Sequence, residues 1–294
     1  MDKKNSAPAP KKVTTRSFQI KKQQKQPISM LTAYDYPTAL AAEKAGIDSI
    51  LVGDSLGMVV LGYDNTLPVT MADMIHHCKA VARGASTPLL IGDMPFMSYQ
   101  SSVKKAVENA GRFLQEAGMD AVKLEGGRER ADAITAMVQA GIPVIGHLGL
   151  TPQSVHAFGG FRAQGKTSDA AMRLIEDAHI LQQAGAFGIV LEAVPAQLAG
   201  LISEQLEIPT IGIGAGANCD GQVLVTHDLI GQFDRFVPSF VRQYAQIHTI
   251  VLEAMQHYHQ DVQDGKFPAE EHSIYMDDQE WNTLIKLLES RRDE

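Results

Sequence analysis

The stretch SILVGDSLG, residues 49–57, places a carboxylate directly after a buried apolar run. Three apolar residues are followed by a glycine and then by Asp54. The stretch LLIGDMPF, residues 89–96, repeats this order and ends its apolar run on Asp93. Because short apolar runs bounded by turn residues are typical of buried strands, both stretches predict strands that end on a charge.

The rest of the chain alternates between such runs and stretches of helical spacing that close on glycine. The strings EKAG, QEAG, VQAG and QQAG recur at the ends of the helical stretches, where glycine is a typical stop signal. This alternation indicates a parallel sheet, and its extent of roughly 250 residues fits a (β/α)8 TIM barrel. Seven strands are predicted at residues 27–34, 49–54, 88–93, 121–125, 143–148, 188–194 and 208–216.

An eighth strand is predicted at RFVPSFV, residues 235–241, which would complete the barrel. A doubly wound open sheet is the alternative architecture. Its dinucleotide-binding form carries a glycine fingerprint after the first strand, whereas only DYPTA follows residues 27–34 here. The pattern therefore favours the barrel.

The two ends of the chain differ in composition from the predicted barrel. Residues 1–26 are rich in lysine and are expected to form a flexible tail whose last part lies on the barrel. The barrel is expected at residues 27–274, and a helical extension at residues 275–294. In that extension an amphipathic helix is predicted from the spacing of its apolar residues, which are Trp281, Leu284, Ile285 and Leu288. This helix is expected to cover the barrel or to dock on a neighbouring subunit.

Charge and composition exclude several classes of protein. The formal net charge is −8, although the first 27 residues hold eight Lys or Arg against one acid. The acidic remainder argues against nucleic acid as a partner. No apolar run approaches the roughly 18 residues that a membrane helix needs. Two cysteines in 294 residues indicate a protein of the reducing cytoplasm.

Polar side chains stand at the carboxyl ends of five consecutive predicted strands, the ends that line the active-site mouth of a barrel. Carboxylates gathered there repel each other, and a divalent cation relieves the repulsion. Oxygen ligands without cysteine favour Mg²⁺, so the pattern predicts a magnesium site. The residues are Asp54, Ser55, Asp93, Lys123, Glu125, His147 and Glu192.

Each of these residues alone also fits a structural role. A carboxylate at a strand end often caps a helix or forms a surface salt bridge, and Ser55 fits an N-cap. Lys123 fits a structural ion pair, and His147 fits a hydrogen-bonded core histidine. The recurrence on five strands favours function for the set.

One nucleotide-binding pattern is rejected on its context. GFRAQGKT, residues 160–167, matches GxxxxGK[ST], but a P-loop needs a strand directly before its first glycine. Here TPQSVHAFG intervenes after the fifth predicted strand. The glycine-rich stretch 151–167 is instead predicted to be a mobile lid over the mouth.

Several long blocks of the chain resemble the ketopantoate hydroxymethyltransferase family. The resemblance covers roughly residues 25–274, and its blocks are TAYDY, LVGDSLGMVVLGYDNTLPVTMADM, DMPFMSY, VKLEGG, GHLGLTPQSVHAFGGFRAQG, IPTIGIGAGANCDGQVLV and EEHSI. It implies a (β/α)8 barrel that transfers a one-carbon unit from 5,10-methylenetetrahydrofolate to 3-methyl-2-oxobutanoate, giving 2-dehydropantoate. It also implies Mg²⁺ as cofactor and a homodecamer.

The resemblance assigns a role to each residue of the predicted site. Asp54 and Asp93 resemble the metal ligands, and Glu125 resembles the carboxylate that reaches the metal. Ser55, Lys123 and His147 resemble residues that contact the substrate. Asp54 and Asp93 also resemble substrate contacts. Glu192 resembles the catalytic base. The alternatives are another Mg²⁺-dependent barrel lyase or mutase that acts on 2-oxo acids through an enolate, and a non-catalytic ligand-binding barrel.

Overall fold

The computed structural model describes residues 11–160 and 162–292. In this part of the chain, parallel strands close into a barrel in the order of the sequence, with the last strand pairing back to the first. This confirms the predicted (β/α)8 architecture. The strands are β1 Ile28–Thr32, β2 Ser49–Val52, β3 Leu89–Asp93, β4 Ala121–Glu125, β5 Val144–Gly149, β6 Gly188–Glu192, β7 Thr210–Ile213 and β8 Gly221–Leu224.

Helices connect the strands and continue after the barrel. None of the helices within the described residues is long and apolar enough to cross a bilayer. The α-helices of that part are α1 Thr15–Gln23, α2 Tyr36–Lys44, α3 Leu56–Val59, α4 Met71–Gly84, α5 Val103–Ala117, α6 Ala131–Gln139, α7 Val155–Phe158, α8 Ser168–Gln183, α9 Ala196–Gln205, α10 Thr226–Leu229, α11 Ile247–Gln263 and α12 Asp278–Ser290.

The helix ends follow the signals in the sequence. Helix α5 begins after Ser102, whose side chain accepts a hydrogen bond from the Lys105 amide. It ends at Gly118, which has a φ of 70° and is the glycine of the string QEAG. A left-handed residue after the last helical turn favours glycine because it lacks a Cβ.

The position of the eighth strand was predicted wrongly. Strand β8 is Gly221–Leu224, which pairs with β7 and β1, whereas residues 235–241 contain no strand. The short sequence GQVL gives little apolar signal, and its partners on both sides decide its conformation. A strand inside a closed barrel is paired on both of its edges. Pro238 lacks an amide proton and could not donate the hydrogen bond that such pairing requires.

Helix α1 lies within the stretch that was predicted as the basic tail. Phe18 of this helix is completely buried in the same apolar cluster as Ile28 and Met30 of β1. The ring of Phe18 also packs edge-on against Phe187, with 6.0 Å between ring centroids. The side chain therefore joins the interior of the barrel. Residues 1–10 of the predicted tail lie outside the described residues.

Ion pairs account for part of the basic character of the N-terminal stretch. Three lysines reach acids that directly precede β2, β4 and β8 at the amino ends of these strands. The pairs are Lys21–Asp48 at 2.5 Å, Lys12–Asp120 at 2.6 Å and Lys22–Asp220 at 2.8 Å. These lysines are therefore held against the barrel by charge.

The chain divides into two compact units between Ala245 and Gln246. The second unit contains α11 and α12, so helices are present at the carboxyl end of the chain as predicted, while the boundary at residue 275 stays a prediction. The residues predicted to form the apolar face of the C-terminal helix all lie in α12. Their docking on the barrel or on a neighbouring subunit stays a prediction.

Candidate active site

The strand register brings the predicted site residues together at one end of the barrel. Asp93 at the end of β3 is the register partner of Lys123 on β4, and Glu125 is the partner of His147 on β5. Glu192 is the last residue of β6. All seven residues predicted from the sequence line a single cavity at the carboxyl ends of the strands.

Asp54, Asp93 and Lys123 form a buried charged group. The amide of Asp54 donates a hydrogen bond to Asp93 Oδ2 at 3.0 Å, which fixes the turn after β2 against β3. Lys123 Nζ donates to Asp93 Oδ1 at 2.7 Å and lies 3.7 Å from Glu125 Oε1. Its carboxylate neighbours outweigh the effect of burial and raise the pKa of Lys123, so the ammonium group stays charged.

His147 stands between two carboxylates. Its Nδ1 lies 3.3 Å from Glu125 Oε1, and its Nε2 lies 3.2 Å from Glu192 Oε2. Both contacts are close ion pairs, although neither ring nitrogen reaches full hydrogen-bond geometry. Burial and the charge of Lys123 act to lower the pKa of His147, but the two glutamates outweigh them and raise it to about 9. The imidazole is therefore a cation at neutral pH.

The remaining carboxylates differ in their electrostatic environment. Burial, followed by the charges of Asp93 and Glu125, raises the pKa of Asp54 well above its usual range. Burial also raises the pKa of Asp93, although Lys123 opposes the effect. The pKa of Glu125 is lowered, because Lys123 and His147 outweigh its burial. Within the described residues Asp54 has no cationic side chain at ion-pair distance, whereas Asp93 is paired with Lys123, so the negative charge of Asp54 is the less compensated of the two.

This uncompensated charge fits a hard divalent cation. If all are ionised, the cavity lining holds five carboxylates and three cationic side chains, an excess of two negative charges. Within residues 11–160 and 162–292, no three His, Cys, Asp or Glu side chains are grouped as metal ligands. Mg²⁺ usually takes only one or two protein carboxylates and completes its shell with water and substrate, and Asp54 and Asp93 supply that number. Glu125 faces Lys123 and His147, so its contact with a metal stays a prediction.

Gln153 organises the site and was not predicted from the sequence. Its Nε2 donates to Asp54 Oδ2 and to the Met94 carbonyl, both at 2.9 Å. Its amide donates to Glu125 Oε2 at 2.9 Å, and its Oε1 accepts from the Tyr99 hydroxyl at 2.7 Å. One buried side chain therefore links the loops after β2, β3 and β5. The only signal for it in the sequence was its place shortly after the fifth strand.

Ser55 does not cap a helix in this structure. It precedes α3, but its side chain makes no capping hydrogen bond. Its Oγ lies 2.8 Å from the hydroxyl of Tyr34, and Ser55 lines the cavity. The N-cap alternative is therefore not observed, and Ser55 is free to present its hydroxyl to a ligand.

The stretch after β5 is more structured than its glycines suggest. It contains the 3₁₀ turn Pro152–Ser154 and helix α7. Ala163 and Lys166 from the same stretch line the cavity, and the Gln164 amide donates to the Ala193 carbonyl at 3.0 Å. The stretch covers part of the mouth, and its movement as a lid stays a prediction. Phe161 lies outside the described residues.

The fold and the site together define a class of protein. A (β/α)8 barrel with a buried cluster of acids, a lysine and a histidine in the cavity at its carboxyl end has the arrangement of a barrel enzyme. The family model for ketopantoate hydroxymethyltransferase matches residues 12–270. The chain belongs to this family.

Curated relatives match almost the whole chain. A 3-methyl-2-oxobutanoate hydroxymethyltransferase of Syntrophomonas wolfei is 58% identical over 261 residues, which cover 89% of this chain and 95% of the relative. One of Syntrophus aciditrophicus, with the same name, is 57% identical over 264 residues, covering 90% and 97%. The matched residues cover nearly the whole length of both relatives.

Solved structures with low sequence identity share the fold. A phosphonopyruvate hydrolase has a TM-score of 0.59 at 14% identity, covering 96% of this chain and 100% of that chain. A 2,3-dimethylmalate lyase has a TM-score of 0.56 at 15% identity, covering 96% and 98%. At this level of sequence identity the likenesses show a shared fold and nothing more.

Proposed function

We propose that this chain transfers a hydroxymethyl group from 5,10-methylenetetrahydrofolate to 3-methyl-2-oxobutanoate and releases 2-dehydropantoate, the first step of pantothenate biosynthesis. Membership of the ketopantoate hydroxymethyltransferase family supports the reaction class. The observation that carries the proposal is the convergence of Asp54, Asp93, Lys123 and Glu192 in one cavity, which offers a cation site, an ammonium group and a base.

Asp54 and Asp93 would hold Mg²⁺ with part of its shell open to the substrate. When bound, the cation acts as a Lewis acid that polarises the keto oxygen and makes the C3 proton more acidic. Asp54 is kept in position by Gln153, and Asp93 by the Asp54 amide and by Lys123. These hydrogen bonds fix both carboxylates before a ligand arrives.

Glu192 is the proposed base that removes the C3 proton. It is partly exposed to the cavity, with a side-chain exposure of 18%, whereas Glu125 is almost completely buried. His147 Nε2 lies 3.2 Å from its Oε2 and holds the carboxylate at the cavity, where a general base must stand. Glu192 is therefore both reachable by a substrate and ready to act as a base.

Lys123 is proposed to stabilise the negative charge that develops on the substrate. Its ammonium group is buried and positioned by Asp93, so it meets an oxyanion without reorganisation. The enolate carbon then forms a bond to the one-carbon unit of the folate, and a water molecule supplies its hydroxyl oxygen. The bonds from this carbon to N5 and N10 break, and tetrahydrofolate leaves with the C3 proton and one proton of the water. Ser55 and His147 complete the proposed contacts to the keto acid.

The same proposal extends to assembly and location. We propose a homodecamer of the cytoplasm; the free cysteines Cys78 and Cys219 fit a reducing compartment. Sedimentation velocity tests the assembly, which is expected to have the mass of ten chains. Any smaller stable species at the working concentration contradicts this part of the proposal.

The experiment that tests the reaction is an assay of tetrahydrofolate release with 3-methyl-2-oxobutanoate and Mg²⁺. Release coupled to formation of 2-dehydropantoate is the expected result. A well-folded preparation that consumes the keto acid without any folate would instead support a lyase or mutase acting through an enolate. Binding of the keto acid without turnover or metal dependence would support a non-catalytic barrel.

A further inference from the structure

The cavity extends well beyond the charged group at the strand ends. Its volume is about 790 Å³, within the range for drug-sized ligands and far larger than a small branched keto acid fills. The outer part is lined by apolar side chains from two segments, α3 and the loop that follows α10. These side chains are Met58, Val59, Phe233, Phe236, Phe240 and Val241. The outer cavity thus has room for a second ligand with an apolar face.

The loop after α10 is seated on the end of β7 by one close contact. A Cβ atom at Gly214 would lie 2.7 Å from Cδ1 of Phe240, so only glycine lets this ring approach the strand. The φ of Gly214 is also 61°, in the region that favours glycine. Phe240 is therefore held at the cavity wall. Phe236 is 70% exposed, so replacing it would remove no core packing.

Asp228 is a buried carboxylate that the proposed reaction does not use. It is only 8% exposed, lies in α10 just after β8, and lines the cavity. Across the described chain, no side chain or amide donates a hydrogen bond to its carboxylate, and burial raises its pKa to about 6. A carboxylate that lines the cavity and has no donor of its own can accept hydrogen bonds from a ligand there.

Asp228 lies close to the charged group of the site. Tyr34, whose hydroxyl is 2.8 Å from Ser55 Oγ, feels the charges of both Asp228 and Asp54. The ring of Tyr34 packs on His227, with 5.3 Å between ring centroids. A ligand paired with Asp228 would therefore extend from the outer cavity toward the keto-acid position.

We propose that Asp228 and the aromatic wall around Phe236 and Phe240 form the binding site for the 2-amino-4-oxo pterin ring of the folate substrate. This inference rests on the proposed function. The ring presents N3–H and its 2-amino group side by side, and one carboxylate accepts both as paired hydrogen bonds, as it does from arginine. The flat face of the ring packs against the phenylalanines.

The test compares two ring ligands that differ only in the group facing Asp228. Pterin-6-carboxylate carries the 2-amino donor, whereas lumazine-6-carboxylate carries an oxygen there. Binding to the full chain is measured by calorimetry. The wild-type protein is expected to bind the pterin at least tenfold more tightly, since the lumazine oxygen would face the carboxylate.

Asp228→Asn should remove or reverse this preference, because an amide can donate to the lumazine oxygen. Phe236→Ala, at an exposed position that does not affect folding, should weaken both ligands severalfold and keep the preference. Asp64→Asn is the matched control, because Asp64 is an exposed acid in the loop between α3 and α4 that does not line the cavity. It should leave both affinities within twofold.

Three outcomes would overturn the inference: no binding of the pterin by the wild-type protein, no preference for it, or an unchanged preference in Asp228→Asn. If that variant fails to fold, Phe236→Ala decides, and unchanged affinities overturn the inference. The proposed function is judged separately by hydroxymethyl transfer in the wild-type protein. A chain that prefers the pterin through Asp228 but transfers nothing would keep this inference and reject that function.

Discussion

His147 and Glu192 face each other in the barrel mouth, with Nε2 of the histidine 3.2 Å from Oε2 of the glutamate. The other ring nitrogen of His147 lies 3.3 Å from Glu125. His147 therefore contacts two carboxylates that both line the cavity, and Glu192 is the more exposed of them, at 18% against 2% for Glu125. This relationship positions a partly buried carboxylate where it can reach a bound substrate.

The pair predicts a specific dependence of stability on pH. The pKa of His147 is about 9 in the folded protein and near 6.5 when the chain is unfolded. Since a raised pKa stabilises the protonated fold, this contribution is fully present below about pH 6.5 and is lost as the pH rises through 9. As the pH rises from about 6.5 to above 9, the unfolding free energy of the wild-type protein should fall by roughly 3 kcal/mol more than that of His147→Gln.

Urea unfolding at several pH values between 6 and 10 measures this difference. Both proteins share every other titrating group, so subtracting the variant isolates the histidine. Parallel curves for the two proteins would show that His147 is neutral in the fold, and the electrostatic account of Glu192 would then fail.

Lys123 is predicted to be important for stability as well as for the reaction. Lys123→Met would leave Asp93 and Glu125 without their buried cation and should cost about 3–5 kcal/mol. Lys104→Met is the matched control, since Lys104 pairs with Glu108 at 3.8 Å on the surface and should change stability by less than about 1 kcal/mol. Denaturant midpoints measure both. Equal midpoints would mean that the neighbouring carboxylates are not ionised.

Gln153 is predicted to hold the site together. Gln153→Ala removes the donor to Asp54 Oδ2 and to the Met94 carbonyl, and should lower the unfolding free energy by about 2–3 kcal/mol. Gln100→Ala removes one donor to Gln153 Oε1 and a long 3.4 Å acceptor for the Tyr99 amide, and is expected to cost about 1 kcal/mol. If calorimetric unfolding finds the two variants equally stable, the network does not organise the loops.

Much of this site followed from the sequence because barrel geometry turns position along a strand into position in space. A polar residue at the carboxyl end of a strand must face the mouth, so Asp54, Asp93 and Glu192 could be grouped without coordinates. Gln153 and Asp228 could not, since each follows a strand within a loop whose path depends on tertiary packing.

The sequence expectations for the eighth strand and for the N-terminal stretch differ from the structure for physical reasons of the same kind. Strand β8 is short and weakly apolar, and it exists because β7 and β1 leave two edges to be closed. The sequence of α1 is mostly polar, so the burial of Phe18 could not be distinguished from an exposed tail residue. In both cases the local pattern was weaker than the contacts that the barrel provides.

Metal binding is predicted to depend on the two aspartates. Asp54→Asn and Asp93→Asn should each weaken the binding of Mg²⁺ by roughly tenfold or more, because each removes one of the two proposed carboxylate ligands. Isothermal titration with Mg²⁺ in the presence of 3-methyl-2-oxobutanoate measures this without turnover, and Asp64→Asn serves as the control. Wild-type affinity in either aspartate variant would exclude that residue as a ligand.

The central claim is that Glu192 removes the C3 proton of the keto acid. Exchange of that proton for deuterium, followed by NMR in D₂O with Mg²⁺ and no folate, isolates this step from the transfer. The wild-type protein is expected to exchange the proton, and Glu192→Gln, which keeps the size of the side chain, should lose at least a hundredfold in rate. Exchange by Glu192→Gln at the wild-type rate would contradict the claim.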